Sequence, residues 1–168
     1  MTGEANSEAL ALRRATIDDA PAIRALTRQA YAKWVPLIGR EPMPMLADYA
    51  AAVQSHRIDL LYLNGELAAL IEIIPQAGSL LIENVAVAPA LQKRGLGRTL
   101  MAHAEAVAAS LGYREIRLYA HERFVENIAL YGRLGYRIDR EEETTGGVRV
   151  HMSKRLAGER TPICSTSP

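Results

Sequence analysis

The chain is poor in cysteine and in aromatic side chains: its 168 residues include one cysteine, one tryptophan and one phenylalanine. A single thiol cannot form an internal disulfide, which excludes a disulfide-stapled fold and favours a reducing compartment. The cysteine is Cys164, in a segment rich in Thr, Pro and Ser. We interpret it as an incidental tail residue rather than a nucleophile.

The chain also lacks an excess of charge of either sign and any long apolar run. Its 20 Lys and Arg residues nearly balance 19 Asp and Glu residues, for a formal charge of +1. A nucleic-acid or anionic-membrane partner would need a basic face, and a membrane span or signal peptide would need an apolar segment. We therefore expect a cytoplasmic protein with no nucleic-acid or membrane partner, and we predict no metal site.

The composition suits one globular domain. Apolar residues make up 49% of the chain and charged residues 23%, close to the average for soluble proteins. We predict one domain over residues 9–156. The polar segments 1–8 and 157–168 are predicted to be disordered.

Hydrophobic periodicity and turn residues predict alternating strands and helices. Strands are predicted at 9–14, 58–63, 66–74, 79–87, 114–120, 136–143 and 148–155. Helices are predicted after a Thr16–Asp19 capping box with Pro21, and at 45–54, 92–111 and 125–134, with a loop at 35–44. Hairpins interrupted by crossover helices imply an α/β (mixed α+β) class, with a mixed sheet covered by helices on both faces.

The same periodicity predicts buried side chains. The first helix should bury Ile23, Leu26, Ala30 and Trp34. The long helix should bury Leu96, Leu100, Ala104, Val107 and Leu111. In the last hairpin, the side chains that should face the core are those of Tyr136, Ile138, Val150 and Met152.

The most informative segment follows the strand that ends at Val87. Residues 92–98, Gln-Lys-Arg-Gly-Leu-Gly-Arg, lead into the long helix. A helix start has unpaired N–H groups, and glycines let an anion approach the main chain closely. Lys93, Arg94 and Arg98 add positive charge suited to a pyrophosphate or a ribose phosphate.

Two other phosphate-binding motifs do not match. A nucleotide-binding P-loop needs Gly-Lys followed by Ser or Thr, and Gly97-Arg98-Thr99 lacks that lysine and that spacing. A dinucleotide fingerprint needs a third glycine where Leu100 stands. The alternative without a function is a flexible, glycine-containing turn whose basic residues are simply solvated. The preceding strand and the flanking charges disfavour this alternative.

Residues 92–97 resemble the acyl-CoA pyrophosphate signature of the GNAT N-acetyltransferase superfamily. The resemblance covers about residues 10–155 in element order and is residue-specific from about 82 to 136. It implies a single-domain GNAT fold with a mixed, mostly antiparallel sheet of about seven strands. It also implies that acetyl-CoA is the acyl donor. Its pyrophosphate would be held by Gln92, Lys93, Arg94, Gly95, Leu96, Gly97 and Arg98, and its pantetheine arm by the main chain of Val85, Ala86 and Val87.

A second landmark is Tyr131, in a segment similar to the tyrosine-bearing helix that ends GNAT cores. The resemblance implies that Tyr131 protonates the departing sulfur; a core-packing tyrosine is the alternative. Members of the family usually carry an asparagine seven residues before this tyrosine, where this chain has Phe124. Asn127 lies on the same helical face as Tyr131 and is predicted to contact the cofactor arm instead.

The attacking ammonium must lose a proton, and two residues are candidates for the base. Glu83 precedes the cofactor strand, where many family members place a carboxylate that acts through water. His121 ends the neighbouring strand, and in this fold the two strands splay apart around the acyl group. The acceptor is expected near Tyr31 and Trp34, although a tryptophan is more often a core residue.

The resulting hypothesis is an enzyme that moves an acetyl or short acyl group to a primary amine of a small molecule by direct attack. No cysteine lies near the site, which disfavours a covalent enzyme intermediate. A non-catalytic acyl-CoA sensor and an acetyltransferase of protein N-termini or lysines stay open as alternatives. A homodimer through the C-terminal hairpin or a sheet edge stays open as well.

Overall fold

The computed structural model describes residues 8–158. Cys164 and nearly all of the two segments predicted to be disordered lie outside this range. Within it, none of the helices combines the length and the apolar character needed to cross a lipid bilayer.

Residues 8–158 form seven strands and six helices, in an order close to the prediction. The strands are β1 (Leu10–Arg14), β2 (Arg57–Leu63), β3 (Glu66–Pro75), β4 (Leu80–Val87), β5 (Glu115–His121), β6 (Arg137–Thr144) and β7 (Gly147–Arg155). The helices are α1 (Ala20–Tyr31), α2 (Val35–Ile38), α3 (Met43–Leu46), α4 (Tyr49–Ser55), α5 (Leu96–Ser110) and α6 (Val125–Arg133). Short 3-10 turns lie at Ile17–Asp19, Ala32–Trp34 and Pro89–Leu91.

The seven strands form one sheet in the order β1-β2-β3-β4-β5-β7-β6. The β4–β5 pair is parallel and the other pairs are antiparallel. This confirms the predicted mixed, mostly antiparallel sheet. The long α5 connects the two parallel strands, as a parallel pair requires a crossover.

Helices cover both faces of the sheet, because each face carries its own apolar cluster. On one face, α5 packs on β3, β4 and β5 through Leu96, Leu100, Ala104 and Val107. On the other, α1 packs on β4 and α4 packs on β2, in a cluster that includes Ile23, Leu26, Tyr49 and Leu60. Burial of Trp34 completes the predicted stripe of α1.

Three details of the secondary-structure prediction and two of the burial prediction are wrong. The segment 35–44 is not an irregular loop, because Pro36 and Pro44 fit the first turns of α2 and α3. The helix predicted at 45–54 is interrupted at Ala47, which is extended. Asp48 then caps α4 by accepting a hydrogen bond from Ala51 N at 3.1 Å.

The third secondary-structure error is the start of the long helix, and the two burial errors are Leu111 and Ile138. The long helix begins at Leu96 rather than at residue 92, because Lys93 and Gly95 have positive φ angles of 63° and 86°. Leu111, at its end, is 53% exposed, and Ile138 is 54% exposed. The β6–β7 register shifts between Ile138 and Arg140, which breaks the expected alternation.

A β-bulge in β4 determines where the sheet opens. Asn84 pairs with Glu72 and Ile82 pairs with Ile73, so Glu83 is an extra residue with no partner on β3. The parallel pairing of β4 with β5 also stops at Ile82. Bulges re-aim side chains next to functional sites. Here the bulged residue is one of the two predicted bases.

Candidate active site

A cleft of about 760 Å³ lies between the end of β4, the start of α5, and α6. It gathers most of the residues predicted to bind the acyl donor: Val85, Val87, Gln92, Lys93, Gly95, Leu96, Gly97, Arg98, Asn127 and Tyr131. Two predicted residues do not line it. Arg94 forms an ion pair with Glu8, and the side chain of Ala86 is buried against α1 and α4.

The start of α5 forms a concave set of N–H donors at one end of this cleft. Gly95 is the N-cap in a left-handed conformation, and no side chain of the described residues caps the helix. The N–H groups of Leu96, Gly97 and Arg98 therefore have no partner within the helix. Such a turn from a left-handed to a right-handed residue is an anion-binding nest.

The space and the charge around this nest suit a pyrophosphate. A Cβ atom on Gly97 would lie 3.9 Å from Leu130 Cδ2, so hydrogen at this position leaves the main chain accessible. Four cations line the cleft: Lys33, Lys93, Arg98 and Arg133. Arg133 was not identified from the sequence, because its place one turn after Ala129 on α6 is visible only in the fold.

Gln92 connects the loop to the end of β4. Its Nε2 donates to the carbonyl of Val87 at 3.1 Å, and its Oε1 accepts from Lys33 Nζ at 2.9 Å. Lys33 Nζ also lies 4.7 Å from the centroid of the Trp34 ring. This arrangement fixes the edge of the cleft nearest α1.

A second, smaller pocket of about 110 Å³ lies where β4 and β5 separate. It contains both predicted bases, Glu83 and His121, together with Tyr119, Arg40 and Arg149. Three residues line both cavities: Tyr31, Asn127 and Tyr131. The two cavities therefore adjoin at Tyr131.

The hydroxyl of Tyr131 has no hydrogen-bond partner among residues 8–158, although its ring packs edge-on against Tyr136 at 6.1 Å. Burial raises the pKa of Tyr131 to about 12. The phenol is thus protonated at neutral pH, and it is free to donate to a group that enters from either cavity.

Glu83 is held by Tyr119. The Tyr119 hydroxyl donates to Glu83 Oε1 at 2.8 Å. Burial and the nearby Glu83 charge both raise the pKa of Tyr119, so it remains a donor at neutral pH. Tyr119 was not identified from the sequence, although its place two residues before His121 on the same strand puts it on the same face of the sheet.

His121 has both ring nitrogens engaged. Its Nδ1 faces the backbone N–H of Arg123 at 3.1 Å, and its Nε2 faces the carbonyl of Gly146 at 2.8 Å. An N–H can only donate and a carbonyl can only accept. These partners select the neutral ring with the proton on Nε2, and they tie the end of β5 to the β6–β7 turn.

Tyr31 is positioned by a buried polar network. Its hydroxyl donates to Asn84 Oδ1 at 2.9 Å, and burial raises its pKa. Asn84 Nδ2 in turn donates to the Tyr49 hydroxyl at 3.2 Å, and Tyr49 donates to the carbonyl of Pro44 at 2.6 Å. The network links α1, β4, α4 and the segment that lines the smaller pocket.

Trp34 and Phe124 form an aromatic wall. Their rings stack at 4.5 Å, and both residues are buried. Trp34 lines the larger cleft, whereas Phe124 lines the smaller pocket. Phe124 thus provides packing, and Asn127, predicted to contact the cofactor arm instead, lines both cavities.

Comparison with known proteins agrees with this geometry. The model of the Acetyltransferase (GNAT) family matches residues 21–136. N-alpha-acetyltransferase 80 of Mus musculus is 39% identical over 71 residues, which are 42% of this chain and 21% of that protein. The chain therefore matches only about a fifth of the length of this curated relative.

Solved structures show the same fold at low sequence identity. The PaiA N-acetyltransferase of Thermoplasma acidophilum, in complex with coenzyme A, has a TM-score of 0.72 at 16% identity, covering 88% of this chain and 99% of that one. An alanine N-acetyltransferase of a ribosomal protein from Escherichia coli has a TM-score of 0.73 at 23% identity, covering 91% and 99%. The chain belongs to the GNAT family of acetyltransferases.

Proposed function

We propose that this protein transfers an acetyl group from acetyl-CoA to a primary amine of a small molecule, by direct attack of the amine on the thioester. The observation that carries the proposal is that two cavities of different character adjoin at Tyr131. The larger contains the phosphate-binding nest, and the smaller contains a carboxylate, Glu83.

The residues of the larger cleft fit acetyl-CoA. The free N–H groups of Leu96, Gly97 and Arg98 would hold the pyrophosphate, with charge from Lys93 and Arg133. The main chain of Val85 and Val87 would accompany the pantetheine arm as an added strand does. When bound, acetyl-CoA supplies the activated carbonyl carbon.

Glu83 and Tyr131 would handle the two protons that an ammonium loses on becoming an amide. Glu83, directly or through a water molecule, takes the first and leaves a neutral amine with a lone pair. Tyr131 donates a proton to the sulfur as the C–S bond breaks, and the second proton from the nitrogen restores the Tyr131 phenol. Acetyl-CoA and the ammonium thus become the amide, free thiol and one proton.

Glu83 is the stronger candidate for the base. A base needs a free lone pair, and the contacts of His121 leave neither ring nitrogen available. Glu83 has one carboxylate oxygen hydrogen-bonded to Tyr119 and lines the smaller pocket. We assign His121 a role in closing that pocket. Tyr31 and Trp34 would contact substrates, Tyr31 at the junction of the cavities and Trp34 along the donor cleft.

Release of free thiol from acetyl-CoA, measured with a panel of primary amines, tests the proposal. We expect amine-dependent release well above hydrolysis, and N-acetylated product by mass spectrometry. Tyr131→Phe should reduce the amine-dependent release of thiol. Tyr113 lies at the far end of α5, so Tyr113→Phe should not reduce it. Acetyl-CoA binding without turnover for every amine would contradict the proposal.

The second candidate function is acetylation of a protein N-terminus. It is favoured by the 39% identity with the mouse N-alpha-acetyltransferase over 71 residues. Short peptides with free and with blocked N-termini, added to the same amine panel, distinguish the two acceptors. Turnover confined to peptides with a free N-terminus would select this second candidate.

A further inference from the structure

Two arginines face the acceptor pocket beside Glu83, and neither is explained by acetyl transfer itself. Arg40 follows α2, whereas Arg149 lies on β7. Both line the smaller pocket. The fold thus brings guanidinium groups from opposite ends of the chain to the place where the amine would bind.

Arg149 lies over the ring of Tyr119, with Cζ 4.6 Å from the ring centroid. Tyr119 also donates a hydrogen bond to Glu83, so the Arg149 guanidinium and the proposed base both contact Tyr119. The other contact of Arg149 is an ion pair with Glu142 at 3.6 Å, in which both side chains are more than a third exposed. Exposed ion pairs contribute little, so an anion in the pocket can compete for Arg149.

Arg40 closes the pocket from the other side. Its guanidinium packs directly on Gly146 in the β6–β7 turn, where a Cβ atom would overlap it. Within residues 8–158, no carboxylate lies within 4.0 Å of Arg40, in contrast to Arg28 and Arg57. None of the described carboxylates therefore neutralises Arg40, an exposed residue that lines this pocket.

The charges of the pocket add up to a positive surplus. Glu83 is its one carboxylate among the described lining residues, against Arg40 and Arg149. His121 is neutral, by the hydrogen bonds that it makes. Glu122 and Glu142 lie close by, but neither lines the pocket. An ammonium beside Glu83 leaves both guanidinium groups available to a second charge.

We infer that the acceptor is a primary amine that also carries an anionic group, such as a carboxylate, with Arg40 and Arg149 as its specificity-determining residues. The inference rests on the proposed function. Glu83 faces the ammonium, and the planar guanidinium groups match a carboxylate, which they can bind through paired hydrogen bonds. The pocket volume of about 110 Å³ suits a group of amino-acid size.

Binding is measured first without chemistry, by calorimetric titration of the full chain saturated with free CoA. The probes are amino acids and their amides, for example glycine and glycinamide, or phenylalanine and phenylalaninamide. We expect the acids to bind at least about tenfold more tightly than the amides, and the difference to shrink with added salt. Equal affinity, or no binding of the acids, would overturn the inference. Thiol release in the amine panel reports separately on the proposed function.

The arginines are then tested in the steady state with acetyl-CoA. Arg40→Gln and Arg149→Gln should each raise KM for the acid by about tenfold while changing kcat/KM for the amide little. The matched control is Arg140→Gln, an exposed arginine of β6 that also lies near Glu142. Arg40→Lys and Arg149→Lys should recover part of the preference because they keep the charge.

A preference for the acid that survives both glutamine substitutions would overturn the assignment of these residues. The same holds for losses that are equal for acid and amide, since these would reflect a structural role. Thermal melting of each variant excludes unfolding, and Arg40→Gln carries the test if Arg149→Gln does not fold.

Discussion

Tyr119 and Glu83 are joined across the opening of the sheet: the Tyr119 hydroxyl donates to Glu83 Oε1 at 2.8 Å, one residue beyond the last pair between β4 and β5. The bond orients the carboxylate toward the pocket where an amine would bind. It also leaves the second carboxylate oxygen able to accept a proton. The pair is therefore the feature that most directly connects the fold to the proposed chemistry.

Loss of the proposed base should be severe. We expect Glu83→Gln to lower kcat/KM by about 10²–10⁴-fold, because proton removal would fall to solvent. Tyr119→Phe should have a smaller effect, since the carboxylate remains but is less well oriented. His121→Gln should retain most activity. The measurement is the pH profile of kcat/KM, with Glu66→Gln on an exposed part of β3 as control; normal activity in Glu83→Gln would exclude it as the base.

Tyr131 should act in the leaving-group step rather than in binding. We expect Tyr131→Phe to lower kcat by about 10²-fold with little change in KM for acetyl-CoA. Burial holds its pKa at about 12, so the phenol stays protonated up to that pH. Ionisation of Tyr131 therefore cannot cause a fall in activity below about pH 10. A decline from pH 8 that is present in the wild type and absent in Tyr131→Phe would argue against this assignment, because it would show that Tyr131 itself ionises in that range.

The proposal that the nest binds the pyrophosphate can be tested by adding one methyl group at Gly97. Gly97→Ala is tolerated by the fold, since its Cβ would lie 3.9 Å from the nearest atom, but it adds a methyl group to a residue that lines the cleft. We expect KM for acetyl-CoA to rise about tenfold, which corresponds to about 1.4 kcal/mol. Gly132→Ala, with open space around the new methyl group on α6, is the control. An unchanged KM would place the pyrophosphate elsewhere.

Phe124 should behave as a packing residue. It is buried and stacks on Trp34 at 4.5 Å, so Phe124→Asn removes an aromatic contact and buries an amide without a partner. We expect the free energy of unfolding to fall by about 3 kcal/mol or more. Urea denaturation measures this, with Phe124→Leu as the milder comparison. Tighter acetyl-CoA binding by a stable Phe124→Asn variant would show instead that the usual family residue suits this site.

Asp19 should stabilise the protein in a pH-dependent manner. The Arg13 guanidinium holds the pKa of the Asp19 carboxyl well below its usual range, and Asp19 also accepts from Thr16 N at 2.8 Å. A depressed pKa contributes stability above the unfolded value, near pH 4, which is lost as pH falls through the folded pKa. We expect Asp19→Asn to cost about 1 kcal/mol at pH 7 and less at pH 3. Denaturation at both pH values checks this, with Asp18→Asn as control.

Local signals were sufficient to predict the order of the elements and the glycine-containing turn that precedes α5. Asn64-Gly65 specifies a tight turn, and Gly95 and Gly97 specify close access to the main chain. These are properties of a few adjacent residues, so the sequence displays them directly. The helix stripe of Ile23, Leu26 and Ala30 belongs to the same class.

Contacts between distant segments could not be predicted in this way. Arg40 and Arg149 meet in one pocket although they are 109 positions apart in the sequence. Nothing in the local pattern distinguishes them from solvated arginines. Likewise, the hydrogen bonds of His121 depend on the β6–β7 turn, and the exposure of Ile138 depends on a register shift. Such features follow from tertiary pairing, which local periodicity does not encode.

The bulge in β4 has a consequence for how this site could arise and be lost. Glu83 is an extra residue in the pairing of β3 with β4. Without it, Ile82 would still pair with Ile73 and Asn84 with Glu72. Deleting Glu83 would remove the bulge and make β4 a regular strand. The side chains that β4 contributes to the two apolar clusters would keep their faces. The proposed catalytic carboxylate thus occupies a position that the pairing of β3 with β4 does not require, so we expect deletion of this one residue to remove the proposed base and to leave the sheet paired.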